Sequence, residues 1–384
     1  MIKVFSIVGT RPEAIKMVPV IQELRRYPSE IVSKVCVTAQ HRQMLDQMLE
    51  LFQIVPDYDL NIMKRGQCLT SVTSMVLEGL KPILQAERPD WILIQGDTTT
   101  VMAAALAAFY QHIKIGHVEA GLCTYNNYDP FPEEVNRRLA DVVADLLFAP
   151  TKWAADNLRR EGVPEERIVL TGNTVIDALL QVTDMPFHPE GTPLANLPID
   201  QKRIILVTSH RREKFGARID KICVALKAIA EMYSDVHFAY PVHPNPNVRD
   251  RVYCMLSDIS NITLLPPLDY LSFAWLLKKS YFVITDSGGL QEEAPGLGKP
   301  VLVVRDTTER PEGVRNGSVK LIGTSSLRIF HETTKLLTDR DAYQAMAQGI
   351  NPYGDGRAAQ RIVSSLISST LEEVPELITA KVRI

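Results

Sequence analysis

The chain has 384 residues, 46% of them hydrophobic and 23% charged, with a formal net charge of −3. That length exceeds what one hydrophobic core ordinarily supports, so two domains are expected, and the near-neutral charge argues against nucleic acid as a partner. No apolar run approaches the roughly 18 residues that would cross a bilayer, and the five scattered cysteines, without a C-x-x-C pair, exclude a disulfide framework and a structural zinc site. A reduced, cytoplasmic protein is expected, with each cysteine a small buried hydrophobe.

The opening run Met1–Val8 lacks a cleavage-site pattern and reads as a first strand, not a signal peptide. The strand Lys3–Val8 runs into Gly9-Thr10-Arg11-Pro12-Glu13-Ala14-Ile15-Lys16. Neither G-x-G-x-x-G nor G-x-x-x-x-G-K-[ST] is present, which argues against a dinucleotide cofactor and against ATP hydrolysis. Pro12 suits a helix start, and Arg11 and Lys16 stand where a strand end projects cations toward a ligand. Further strands are predicted over Lys34–Thr38, Trp91–Gln95, Ile113–Val118 and Leu146–Ala149, each followed by a helix.

Asp97 follows the third of these strands in Gly96-Asp97-Thr98-Thr99-Thr100, and capping of the next helix is its commoner explanation. Glu119 follows the fourth, between an apolar strand and Ala120-Gly121, where a half-buried carboxylate is costly unless paired and a functional role is favoured. In Pro130–Arg138 two carboxylates and two guanidinium groups crowd the opening turns of a helix, with Glu133 and Arg137 spaced as an i,i+4 pair.

The stretch Asp184–Pro193, with three prolines and a glycine, suits a linker or exposed loop. A second series of strands follows, over Arg203–Thr208, Val236–Val242, Ile262–Leu265, Phe282–Thr285, Val301–Val304 and Lys320–Ile322. The pattern is α/β, two doubly wound parallel-sheet (Rossmann-like) domains in tandem, with ligands expected outside the carboxyl ends of the strands in a cleft between them. No sequence repeat relates the halves, so their likeness is topological.

In the second half His210-Arg211-Arg212 follows a strand end and offers three cationic or near-cationic donors to an anionic substrate. Thr285–Glu293 reads TDSGGLQEE after a buried run. A helix start of this kind presents backbone N–H groups to a phosphate, with Ser287 adding a hydroxyl, Gly288 and Gly289 removing side chains, and Glu293, about a turn and a half on, facing a ribose. An Asp cap with glycines for tight packing explains the same letters equally well. Arg305–Glu312 again sets an arginine and carboxylates after a strand.

The ordered motifs GTRPEAIK, GDTTT, HVEAGL, PFPEEVNRR, TGNTVIDAL, SHRREKFG, TDSGGLQEEAPGLGKPVLV and RDTTERPEG closely resemble the bacterial non-hydrolysing UDP-N-acetylglucosamine 2-epimerases over essentially the whole length. The resemblance implies a GT-B fold, interconversion of UDP-N-acetylglucosamine and UDP-N-acetylmannosamine, no metal or other cofactor, and a homodimer. It implies nucleotide and phosphate binding by Arg11, His210, Ser287, Gly288, Gly289, Glu293 and Arg310, with Phe273 beside the uracil. Lys16, Asp97, Glu119, Glu133 and Arg137 match the cluster around the sugar. The acid and base are sought among Asp97, Glu119 and Glu133, with His210 joining the catalytic set. A second UDP-N-acetylglucosamine, acting as allosteric activator, is implied for Gln40, Gln43, Glu133, Arg211 and His243.

Three positions depart from the family pattern: Cys123 for an arginine, Ser209 for glycine or alanine, and Lys214 for asparagine. Loss of a cation at Cys123 bears on substrate or activator binding. Competing readings are a hydrolysing epimerase that releases N-acetylmannosamine and UDP, a glycosyltransferase, and a catalytically silent UDP-sugar sensor. Domains are expected over 1–171, with a last helix at about 356–384 returning to them, and 172–355, with hinges near Thr171–Asn173 and Asn351–Gly354.

Overall fold

The computed structural model describes residues 1–39, 42–64, 66–209, 217–349 and 351–372, apart from the side chains of Gln43, Ala217, Leu371 and Glu372. Gln40, His210, Arg211 and Lys214 lie outside the described residues.

The first seven strands are β1 (Ile2–Val8), β2 (Ile31–Val37), β3 (Tyr58–Asp59), β4 (Trp91–Gln95), β5 (Lys114–Val118), β6 (Leu146–Ala149) and β7 (Ile168–Leu170). Six more follow: β8 (Arg203–Thr208), β9 (Val236–Pro241), β10 (Ile262–Leu265), β11 (Phe282–Thr285), β12 (Val301–Val303) and β13 (Val319–Leu321). The first sheet has the order β3-β2-β1-β4-β5-β6-β7 and the second β10-β9-β8-β11-β12-β13. Every neighbouring pair is parallel.

Both orders reverse direction beside their first strand, between β1 and β4 and between β8 and β11. Such a switch point opens a crevice at the strands' carboxyl ends. The edge strands β3 and β7 were not expected from the sequence, since two- and three-residue runs carry no periodic signal.

Strands buried on both faces read as near-continuous apolar runs, as in Trp91–Gln95, where all five residues are buried. Phe5, Ile7, Ile92, Ile94 and Ile115 form one core with Val76, Leu80 and Leu84 from the helix Leu69–Glu87. Between them runs the helix Thr99–Phe109, whose Ala103, Ala104, Ala107 and Ala108 keep it thin enough to sit against sheet and neighbouring helix at once. The second core gathers Ile205, Val207, Phe238, Tyr240, Phe282, Ile284 and Leu302.

The chain divides into one unit of Met1–Ala178 with the chain from Tyr353 onward, and a second unit of Leu179–Pro352. The proline-rich stretch at 184–193 therefore lies inside the second unit, and the division falls within the helix Thr174–Thr183. The start of that helix is tied to the first unit, because the Asp177 carboxylate accepts the N–H groups of Ala358 and Ala359 at 3.2 and 2.9 Å. It thereby caps the helix Ala358–Glu372, which packs on the helix Arg11–Leu24.

The two connecting segments run side by side. Asn173 donates its N–H to the Tyr353 carbonyl at 2.6 Å. A Cβ on Gly172 would stand 3.2 Å from the Gly354 Cα, and φ is +90° at Gly172 and +136° at Gly354, so glycine is required twice at this crossing.

Candidate active site

In the first unit the candidate residues follow β1, β4 and β5. Thr10 is the N-cap of the helix Arg11–Leu24, with Pro12 in its first turn. Glu13 folds back so that its carboxyl accepts the Gly9 N–H at 2.7 Å and the Thr10 hydroxyl at 2.8 Å, a capping arrangement that fixes the turn carrying Arg11. Gly9 has no room for a side chain, since a Cβ would meet the Thr100 Oγ1 at 2.5 Å. Burial pushes the Glu13 carboxyl up to about 7, and the charge of Asp97 adds to the rise.

Lys16, one turn further along the helix, forms an ion pair with the Oε2 of Glu119. The same oxygen accepts the Gln95 amide at 2.7 Å. Glu119 is 8% exposed and has a φ of +68°. A non-glycine residue in the left-handed region costs energy that the surroundings must offset, here by the bonds from the Glu119 and Ala120 N–H groups to the Phe148 carbonyl at 3.1 and 3.2 Å. The expected pairing of a costly carboxylate is thus met by Lys16.

Asp97 is not the cap of the following helix. That role belongs to Thr98, whose hydroxyl accepts the Val101 N–H at 3.3 Å. The Asp97 carboxylate is ion-paired with Arg137, and its carbonyl accepts the Asn136 amide at 3.0 Å. Gln95 registers with Val118 across the sheet, so Asp97 and Glu119 leave adjacent strand ends together.

The expected Glu133–Arg137 pair is replaced by another. Arg137 reaches Glu134 at 3.2 Å as well as Asp97, while Glu133 stands half-buried in the first turn of the helix Glu133–Val143. Glu134 is fully buried, with Thr124 and Tyr125 N–H groups at 2.9 Å on its two oxygens. Sequence reasoning passed over Glu134, Gln95 and Glu13. Adjacent glutamates at a helix start look alike in one dimension, and only packing decides which faces inward.

In the second unit the residues follow β8 and β11. The Ser209 hydroxyl donates to Asp286 at 3.0 Å, and the Thr208 and Thr285 hydroxyls meet at 2.6 Å, so the two strand ends flanking the switch point are tied by side chains. The Ser287 N–H turns back to the Thr285 hydroxyl at 2.9 Å. That bond removes one of the expected anion donors and leaves Gly288, Gly289 and Leu290 to supply backbone N–H groups. The helix Leu290–Gly296 is short and contains Pro295, so Glu293 ends its first turn rather than standing a turn and a half in. An anion held at this turn would therefore depend mostly on side chains.

Arg310 supplies one. Its Nε donates to the Glu292 Oε1 at 2.6 Å, and its Nη1 lies 3.6 Å from Glu309. Thr308 accepts the Arg310 N–H at 3.0 Å and donates to Gln291 at 2.6 Å, while Gln291 donates to the Ser287 carbonyl at 3.0 Å. One chain of bonds thus joins Arg310 to the glycine turn. Phe273 is half-buried on the helix Tyr270–Lys279, capped by Asp269. His243 follows β9, and its Nδ1 accepts the Asn245 N–H at 3.2 Å.

Cys36, Cys123 and Cys223 are buried, whereas Cys68 and Cys254 are exposed, against the expectation of burial for all five. Among the described residues no helix is long and apolar enough to cross a membrane, and no group of three or more His, Cys, Asp or Glu residues is placed to hold a metal ion.

The sequence model of one protein family, described as UDP-N-acetylglucosamine 2-epimerase, matches residues 22–367. The UDP-N-acetylglucosamine 2-epimerase of Escherichia coli K12 is 55% identical over 369 residues, 95% of this chain and 98% of that protein. The crystal structure of the Neisseria meningitidis UDP-GlcNAc 2-epimerase bound to UDP-GlcNAc is similar with a TM-score of 0.85 at 48% identity, covering 96% of this chain and 100% of that one. That of the Methanocaldococcus jannaschii enzyme in complex with UDP-GlcNAc and UDP gives 0.77 at 33% identity, covering 95% and 99%. The fold is accordingly GT-B-like, and with family model, sequence relatives and solved structures agreeing over almost its full length, the chain belongs to the UDP-N-acetylglucosamine 2-epimerase family.

Proposed function

We propose that this chain epimerises UDP-N-acetylglucosamine at C2 without hydrolysis, by anti elimination and readdition of UDP. The C2 hydrogen is adjacent to no carbonyl, so its removal needs a leaving group. A base takes the C2 proton, the C1–O bond breaks, and UDP departs to leave 2-acetamidoglucal. Protonation of C2 on the opposite face and return of the UDP oxygen to C1 give UDP-N-acetylmannosamine. Atoms and electrons balance with no oxidant or reductant.

The observation that carries this reading is the pair of carboxylates leaving adjacent strand ends, Asp97 held by Arg137 and Glu119 held by Lys16. Two faces of C2 require two acid/base groups, and Asp97, Glu119 and Glu133 are the set from which they are drawn. Arg11, His210, Arg310 and the Ser287-Gly288-Gly289 turn take the diphosphate as charge develops on it. Glu293 takes the ribose hydroxyls and Phe273 lies beside the uracil. The second unit's bonds among Ser209, Asp286, Gln291 and Arg310 support preorganisation of the diphosphate site.

The remaining parts of the reading are a second UDP-N-acetylglucosamine as activator at Gln40, Gln43, Arg211 and His243, a homodimer, and work in the cytoplasm. The helix Glu133–Val143 favours the dimer, for it leaves Val135, Leu139 and Val142 exposed at i, i+4 and i+7.

The test is to incubate UDP-N-acetylglucosamine with the protein in deuterated water. Proton NMR is expected to show UDP-N-acetylmannosamine with deuterium at C2, and no free N-acetylmannosamine. Product that retains the original C2 hydrogen would refute elimination. In the same assay Glu119→Gln and Asp97→Asn are each expected to lower kcat by about 10²-fold or more.

A further inference from the structure

His117, in the middle of the carboxyl half of β5, is fully buried, and so is Asp141 on the helix Glu133–Val143. The His117 Nδ1 stands 2.6 Å from the Asp141 Oδ1, and its Nε2 stands 2.7 Å from the Gly96 carbonyl oxygen. The second oxygen of Asp141 accepts the Gly121 N–H at 3.4 Å. A carbonyl can only accept, so the ring nitrogen facing Gly96 donates to it, and the other faces the carboxylate. Packing alone does not account for the pair. An aliphatic side chain would fill this place in a parallel sheet without removing an imidazole and a carboxylate from water.

What the pair joins is specific. Gly96 precedes Asp97, and Gly121 lies two residues beyond Glu119. Gly96, Glu119 and Gly121 have φ values of +81°, +68° and +79°; the two glycines adopt this region freely, whereas Glu119 does so only with outside support. The main-chain ladder between β4 and β5 ends with the Gly96 N–H on the Val118 carbonyl at 3.0 Å. Beside that bond and the Gln95 amide on the Glu119 carboxylate, His117 and Asp141 add a connection between the two main chains, from the Gly96 carbonyl to the Gly121 N–H.

The helix bearing Asp141 also bears Arg137 and Glu134, spaced by four and three residues and hence on one face. Asp97 is thereby held at three points: the preceding carbonyl by His117, its own carbonyl by Asn136, and its carboxylate by Arg137.

We propose that His117 and Asp141 are positioning residues that set the spacing between the Asp97 and Glu119 carboxylates. The inference rests on the reading that these two carboxylates do the proton transfers. Neither His117 nor Asp141 touches the substrate. They act through the Gly96 and Gly121 main chain, and their loss lets the two turns relax independently.

The experiment measures kcat and KM by NMR, UDP binding by calorimetry and melting by circular dichroism for His117→Phe, His117→Gln and Asp141→Asn. His117→Phe is expected to lower kcat by about 10²-fold, the scale set by misplacing a reacting group by about an ångström. UDP affinity should stay within about threefold of wild type, since the nucleotide end is assigned to the second unit. His117→Gln, which keeps a donor for the Gly96 carbonyl, should recover part of kcat. Asp141→Asn preserves shape and carries the test if the phenylalanine variant does not fold.

A double-mutant cycle then separates the proposals. If His117 acts through Asp97, the losses from His117→Phe and Asp97→Asn are strongly non-additive. Full additivity, an unchanged kcat, or a kcat loss that tracks melting with no recovery in His117→Gln would each overturn the positioning role. Wild-type kcat in Asp97→Asn and Glu119→Gln would instead overturn the underlying assignment of the carboxylates, whatever His117→Phe does.

Discussion

Glu292 holds Arg310, with the guanidinium Nε 2.6 Å from a carboxylate that is itself 2% exposed. A cation assigned to a diphosphate is thus fixed beforehand by a buried acid, so little rotamer freedom remains to be lost when the ligand arrives. Glu292→Gln is expected to weaken UDP binding by about tenfold, or about 1.4 kcal/mol. Arg310→Lys should do at least as much, because a point charge cannot serve the carboxylate and a phosphate with one planar fork. Calorimetric titration with UDP checks both. Undiminished affinity in Glu292→Gln would remove Arg310 from the nucleotide site.

The buried Glu13 carboxyl gives the protein a distinct pH signature. Its value in the folded chain is about 7, against 4.5 for the free group. Between those values the native state keeps a proton that the unfolded chain has released. Stability therefore falls as the pH rises from about 4.5 to about 7. Glu13→Gln cannot ionise, so its stability relative to wild type should rise across this window and level off above it, with a ceiling of about 3 kcal/mol. Urea denaturation at a series of pH values measures the difference, and a flat difference would show that burial does not perturb this group.

The cap that Asp177 places on the helix Ala358–Glu372 crosses a long sequence separation. Asp177→Ala should destabilise by about 1–2 kcal/mol, the usual worth of a capping side chain. Amide exchange is expected to accelerate first at Ala358 and Ala359. If those amides stay as protected as in wild type, the cap is not what holds the helix.

Cysteine reactivity should divide by burial. Desolvation pushes the Cys36, Cys123 and Cys223 thiols up to about 12, while hydrogen bonds from Ser71 lower that of exposed Cys68. Alkylation near neutral pH should mark Cys68 first and exposed Cys254 next, leaving the other three until denaturant is added. Peptide mass spectrometry reads the order, and early labelling of Cys123 would contradict its burial.

The letters of the chain were enough for the class of fold and for which charged and polar residues follow the strand ends. Parallel strands buried on both faces write themselves as apolar runs, and the charged residues after those runs mark the carboxyl ends, so Arg11, Asp97, Glu119 and Ser287 were legible one by one. The edge strands β3 and β7 were not, because a two- or three-residue strand exists only through its partner. Partnership was the main thing that only the tertiary structure settled. Glu134 rather than Glu133 meets Arg137, Thr98 rather than Asp97 caps its helix, and His117 reaches Asp141 and the Gly96 carbonyl. The physical reason is common to all of these: periodicity records which face of an element is apolar, whereas a hydrogen bond between residues far apart in sequence depends on how strands are ordered in the sheet, which no local pattern encodes.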